Sequence, residues 1–239
     1  MLVNGDFMRI PKRVLRKLLF TNFCFFIGFS SCVWATGPGF DKTRLIIEGG
    51  KQDGSLVLNN RGDGIFYVRA HVEDCNHQKT ADAMAHPAVF QLNPQKASRV
   101  RVFVDKTKVS QSQETMFWLY TKAYPAKKID NTTNLLSFNF ISQLKVFYRP
   151  KGLKGDLSTS ARKVQWFIKS DQVVAKNNSP YNISLAAYHL NGKLIDTSHV
   201  IAPYSEHITG IKLSKLPAKF GWTIVNDFGG VETHTVDLK

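Results

Sequence analysis

Beyond residue 40 this chain alternates apolar and polar residues in short runs, and no stretch of twelve residues carries the apolar stripe of an amphipathic helix. Phe66, Val68, Ala70 and Val72 alternate with Tyr67, Arg69, His71 and Glu73. Val100, Val102 and Val104 alternate with Arg99, Arg101 and Phe103. Shorter apolar runs recur at Leu45–Ile47, Leu56–Leu58, Ala88–Leu92, Met116–Tyr120, Val164–Ile168, Ile183–Leu190 and Trp222–Val225. Turn signals separate them: Gly49-Gly50, Asp53-Gly54, Arg61-Gly62-Asp63-Gly64, Asn93-Pro94, Asn191-Gly192 and Gly229-Gly230. A period of two puts alternate side chains on opposite faces of a strand, so each run is half-buried. Roughly fourteen such strands predict an all-β chain built of β-sandwiches.

The first 35 residues read as a cleaved secretory signal. Arg9, Lys12, Arg13, Arg16 and Lys17 form a positive head, Leu18 to Val33 is mostly apolar, and Ala35 closes a Val33-Trp34-Ala35 cleavage site. The apolar stretch is interrupted by Asn22 and Gly28 and is shorter than the ~20 residues a membrane span needs. Export without stable membrane insertion is therefore expected, with Met8 as an alternative start. Removing 35 of 239 residues leaves 204, enough for one large or two ordinary domains. A boundary is expected at Pro150, where the charged, glycine-rich segment 151–156 begins. That gives an N-terminal domain over 36–150 and a C-terminal domain over 157–239, each of immunoglobulin-domain size.

Of 32 basic and 18 acidic residues, five and one fall in the signal, leaving 27 against 17 and a net charge of +10. The cations are dispersed, with no basic block interleaved with aromatics, and an exported chain has no nucleic acid to meet. Cys24 and Cys32 lie in the signal, so Cys75 has no intramolecular partner and is expected as a partly buried, inert thiol. Asp74-Cys75-Asn76-His77 with His86 fits no zinc spacing and reads as a polar loop. Asp53-Gly54-Ser55 and Arg61-Gly62-Asp63-Gly64 precede no helix, so they are hairpin turns rather than phosphate loops. No nucleophile motif or triad stands out, and neither an enzyme activity nor a cofactor is expected.

One run is exceptional. Leu136, Phe138 and Phe140 alternate with Ser137, Asn139 and Ile141, and the run continues into Gln143-Leu144-Lys145-Val146-Phe147-Tyr148-Arg149-Pro150. From periodicity alone, the three large apolar groups belong to the domain's own core or to a face kept for a partner. The run resembles the donor strand of the periplasmic pilus (fimbrial) assembly chaperones. Other segments resemble that family in the same order: Thr43-Arg44-Leu45-Ile46-Ile47, Leu92-Asn93-Pro94, Gln113-Glu114-Thr115-Met116-Phe117-Trp118, Tyr124-Pro125-Ala126, Asn177-Asn178-Ser179-Pro180-Tyr181 and Asn226-Asp227-Phe228-Gly229-Gly230. The resemblance spans essentially residues 42–239. The chain departs from the pattern at Tyr120, Thr121, Gln113 and Gln95. Its loop before the donor strand, Ala126 to Asn134, is short and lacks cysteine, as in the short-loop branch.

The resemblance implies two immunoglobulin-like domains at an angle, with a cleft between them. It implies that Leu136, Phe138 and Phe140 fill the open groove of a pilus subunit, which lacks its own last strand. Three such side chains supply about 5–9 kcal/mol before association costs. It implies that Arg44 and Lys145, both facing solvent, hold the subunit's C-terminal carboxylate and so fix the register of strand addition. It implies an interdomain ion network of Glu114, Arg149 and Asp227, and an outer-membrane usher as second partner. Two other readings remain open on residues alone: a pilus subunit or adhesin, and an immunoglobulin-like carbohydrate-binding module in the periplasm.

Overall fold

The computed structural model describes residues 37–126, 138–213 and 216–238. The expected signal and Leu136 lie outside them. The first part of the chain forms nine strands: β1 (Pro38–Phe40), β2 (Arg44–Glu48), β3 (Asp53–Asn60), β4 (Phe66–Asp74), β5 (Ala83–His86), β6 (Val89–Leu92), β7 (Ala97–Val104), β8 (Thr115–Pro125) and β9 (Phe140–Arg149). They make two sheets, ordered β1-β3-β7-β5 and β2-β9-β8-β4-β6. The inward residues close a core of Leu45, Ile47, Leu56, Val72, Val100, Val102, Leu119, Val146 and others. A smaller cluster of Leu58, Phe66, Val68, Leu92 and Ala123 fills one end of the sandwich. The alternation in β4 is reproduced residue for residue: Phe66, Val68, Ala70 and Val72 are buried, and Tyr67, Arg69 and His71 are exposed.

A six-residue helix α1 (Leu157–Arg162) opens the second part. Asp156 caps it, its carboxylate accepting the Thr159 N–H at 2.8 Å, which holds the Asp156 pKa below its ordinary value. Eight strands follow: β10 (Gln165–Lys169), β11 (Gln172–Lys176), β12 (Ile183–Leu190), β13 (Lys193–Asp196), β14 (Val200–Ile201), β15 (Glu206–Lys212), β16 (Ala218–Val225) and β17 (Val231–Leu238). Their sheets run β10-β11-β15 and β13-β12-β16-β17, with β14 also on β12. The core between them is aromatic: Trp166 lies 4.8 Å from Phe220, 5.2 Å from Trp222 and 6.0 Å from Tyr188, centroid to centroid. Trp222 Nε1 donates to the Ala161 carbonyl at 3.2 Å, so the buried indole keeps its hydrogen bond and ties α1 to the core.

The architecture is thus two β-sandwich domains in sequence. Its seventeen described strands exceed the fourteen expected. The excess has a physical origin. β1 and β14 are too short to show any alternation. β15 alternates half-buried His207, Thr209 and Ile211, and β17 half-buried Glu232, His234 and Val236, with exposed residues, so neither carries an apolar run.

Candidate functional site

Of the run expected to act as donor strand, the part from Phe140 onward is carried by β9, Phe138 precedes that strand, and the two ends of β9 have different surroundings. β8 pairs with β9 from Phe140 to Tyr148. On the other side β2 pairs only with Lys145–Arg149, in parallel. Among the described residues nothing pairs with Phe140–Leu144 on that side, so their backbone groups form an open sheet edge. Such an edge is a template for another chain.

The side chains on this edge are apolar. Phe138 is 65% exposed, Ile141 65% and Phe140 39%. Phe140 lies on the face of β9 that also carries Leu144, Val146 and Tyr148, all buried. Where those three meet the opposite sheet, Phe140 touches only the rim of the end cluster, edge-on to Phe66 at 5.6 Å. The chain at Gly37 passes over the same ring, and a Cβ on that glycine would collide with it. Phe138 and Phe140 therefore do not belong to the domain's closed core. Ile141, on the opposite face, is a third exposed apolar group that the alternation had assigned to the polar set.

Arg44 and Lys145 are direct neighbours, because the parallel register of β2 and β9 sets them opposite each other. Their environments differ, and the expectation that both face solvent is corrected for Arg44. It is 8% exposed, and its Nη1 donates to the Val225 carbonyl of β16 at 2.9 Å. That bond spans the two domains and draws the guanidinium inward, while its Nε is buried without a partner. Burial lowers the Arg44 pKa, and the Asp227 and Glu114 charges work in the opposite sense. Lys145 is half-buried, with Nζ 5.2 Å over the Trp118 ring. Burial and the neighbouring Arg44 charge lower its pKa. Among the described residues no carboxylate lies within ion-pair distance of either cation. Two adjacent cations, partly desolvated and lacking a counter-ion, make a focused site for an anion. A cleft lined by Arg44, Ile46 and Glu48 on one side and Asp227 and Phe228 on the other takes in Arg44 of the pair.

The Trp118 ring has its own support. His77 stacks on it at 5.1 Å, and His77 Nδ1 is 2.7 Å from the Tyr120 hydroxyl, which accepts from Gln143 Nε2 at 2.8 Å. The polar loop after β4 thus folds back over the outer face of β8. Its Asp74 carboxylate accepts the N–H groups of Asn76 and Gln78, which turns Cys75 outward. Cys75 is exposed rather than partly buried, which corrects that expectation. Sequence reading missed the support that His77 gives to Trp118, because it closes across strands. A cation over an indole gains about 0.5–1 kcal/mol. Trp118→Leu is therefore expected to push the Lys145 titration further down, and Trp118→Phe to leave it nearly in place, as nitrogen-15 NMR of the lysine ammonium would report.

Glu114, Arg149 and Asp227 meet at the domain junction. Arg149 Nε donates to Glu114 Oε1 at 2.6 Å, and its Nη1 and Nη2 reach Asp227 at 2.7 and 2.9 Å. Glu114 Oε2 accepts the Asn182 N–H at 2.9 Å, and the Glu114 N–H donates to the Pro180 carbonyl at 2.9 Å. Glu114 is almost wholly buried, which raises its pKa against the pull of Arg149 and the Asn182 N–H. Burial works to lower Arg149 but is outweighed by its bonds to Asp227 and the charge of Glu114, so its pKa is raised.

Residues 39–154 match the family model described as pili and flagellar-assembly chaperone, PapD N-terminal domain. Residues 159–236 match pili assembly chaperone PapD, C-terminal domain. The chaperone protein LpfB of Salmonella typhimurium is 31% identical over 206 residues, covering 82% of this chain and 86% of that protein. A probable fimbrial chaperone LpfB of Escherichia coli is 29% identical, covering 90% and 94%. Among solved structures, the YadV chaperone superposes with a TM-score of 0.72 at 24% identity, covering 84% of this chain and 99% of that one. The Salmonella enterica SafA pilin in complex with the SafB chaperone gives 0.74 at 21% identity, covering 85% and 96%.

Proposed function

Because the chain belongs to the family of pilus assembly chaperones, we propose that it works in the periplasm, capping pilus subunits by donor-strand complementation and passing them to an outer-membrane usher. The family assembles pili and is not one of enzymes. The observation that carries the reading is the pairing of Arg44 with Lys145 where the open edge of β9 begins. A strand added along Phe140–Leu144 runs into these two cations, so a subunit ending in a free carboxylate is stopped and held there. Its backbone completes the ladder, while Phe138 and Phe140 enter its groove, with Leu136 continuing the series. This mode of recognition is one for which chaperone–pilin complexes are a standard example. The SafA–SafB complex, a pilin held by a chaperone of the same fold, supports a pilus subunit as partner. A pilus subunit in its own right would be one sandwich, and this chain has two.

The test is capture of a co-expressed pilus subunit. Lys145→Ala is expected to abolish recovery of the complex from the periplasm and to leave the unfolding midpoint nearly unchanged, since Lys145 makes no ion pair among the described residues. Arg44→Ala is expected to abolish it too, with a loss of about 1 kcal/mol or more of stability, because the Val225 carbonyl loses its donor. Undiminished complex in Lys145→Ala would rule the clamp out.

A further inference from the structure

The second domain brings two histidines into the electrostatic reach of the clamp. The His199 carbonyl accepts the Leu185 N–H at 2.8 Å, which fixes His199 beside the start of β12. Leu185 in turn pairs with Ile224 of β16, the neighbour of Val225, whose carbonyl holds Arg44, so His199 lies one strand away from the segment that anchors the clamp. His207 lies on β15, and the two imidazoles stack with centroids 3.6 Å apart and planes at 13°. Glu206, next to His207, is turned to Lys176 of β11 at 3.7 Å. The charges that act on the stack are the Lys145 ammonium on His199, and His199 on His207. Partial desolvation and Lys145 lower the pKa of His199, which keeps an exposed side; burial and His199 bring that of His207 down to about 4. In the unliganded protein the stack is therefore uncharged near neutral pH, next to a cation that discourages its protonation.

We propose that the His199–His207 stack is a third arm of the carboxylate clamp, supplied by the second domain, which takes up one proton when a subunit's terminal carboxylate enters. This inference rests on the clamp reading above. A bound carboxylate offsets the repulsion from Lys145 and attracts an imidazolium. The stack accepts one proton rather than two, because two imidazoliums at this separation repel. Linkage is reciprocal: if binding brings a proton in, lowering the pH tightens binding. Each unit by which the carboxylate raises the stack's pKa is worth up to about tenfold in affinity. Below the ordinary histidine range the effect grows until the unliganded stack is itself protonated.

The experiment uses the full mature chain and two synthetic decapeptides of alternating valine and threonine, one ending in a free carboxylate and the other in an amide. The free acid is expected to bind about three- to tenfold more tightly at pH 5.0 than at pH 7.5, and the amide equally at both. His199→Gln and His207→Gln are expected to flatten the pH dependence of the acid. Persistence of that dependence in both variants overturns the proposal. Ring titrations by NMR give a second reading that needs no variant of the stack. Both are expected to rise when the acid peptide saturates, but not the amide, and that of His199 to rise in peptide-free Lys145→Ala. An unmoved His199 titration in Lys145→Ala also overturns the proposal. The clamp itself is judged separately, by whether Lys145→Ala loses the preference for acid over amide at pH 7.5.

Discussion

Arg149→Ala is expected to lower stability by about 3–5 kcal/mol at neutral pH, the usual cost of removing one partner of a buried ion pair. Glu114 decides this magnitude. Its side chain is 1% exposed, against 26% for Asp227, so Asp227 can turn to water and Glu114 cannot. The Asn182 N–H still serves the carboxylate, but no cation is left bonded to it. The sign of the pH dependence follows. Burial already raises the Glu114 pKa, and losing Arg149 raises it further above the unfolded value. The folded variant then holds a proton that the unfolded chain releases, so its stability falls as pH rises from the ordinary glutamate range through the folded pKa. Denaturant melts at pH 5 and pH 7.5 check this: the deficit relative to the unmodified protein should shrink at the lower pH. Adding Glu114→Gln to Arg149→Ala should recover part of the loss at pH 7.5, because the neutral amide keeps an acceptor for Asn182 without a buried charge. Equal deficits at both pH values, with no recovery in the double variant, would mean that the pair is not what joins the domains.

The same residues show what the sequence could disclose. The two-layer fold was legible because its strands bury every second residue, and β4 states this in its own composition. Strands that alternate threonine with histidine, such as β17, hold their place through neighbours and carry no such signal. The family motifs singled out Arg44 and Lys145, but periodicity had no access to the parallel register that sets them side by side. Nor did it disclose that Arg44 is drawn inward by a carbonyl 181 residues away in the sequence. The fold of the loop over Trp118 is likewise a contact between distant segments, while the outward turn of Cys75 and the stacking of His199 on His207 are set by turn geometry that apolar periodicity does not report. Local pattern reports burial well and pairing poorly, because burial repeats along the chain and pairing does not.

Phe138→Ser with Phe140→Ser is expected to weaken subunit binding by about 3–6 kcal/mol, from about 1.5–3 kcal/mol for each side chain buried in a groove. The unfolding midpoint of the free protein should move far less, and unequally for the two. Phe138 is 65% exposed, so its loss should cost almost nothing. Phe140 sets its ring edge-on to Phe66, a contact worth about 0.5–1.5 kcal/mol, and its truncation should cost about that. A phenylalanine in a closed core would cost about 3–5 kcal/mol instead. The two single variants thus separate a strand held ready for a partner from one that serves its own domain. Loss of subunit complex with the midpoint kept in Phe138→Ser marks the former; a core-sized drop in that variant, or full complex in the double variant, sinks the donor role. The asymmetry has a functional side. In the proposed donor role, a strand anchored at Leu144–Tyr148 and bare at Phe138–Phe140 keeps its conformation without a partner, so strand addition costs little ordering entropy. In the proposed function, release requires another strand to displace this one from the groove, for which the exposed end at Phe138 is the natural starting point.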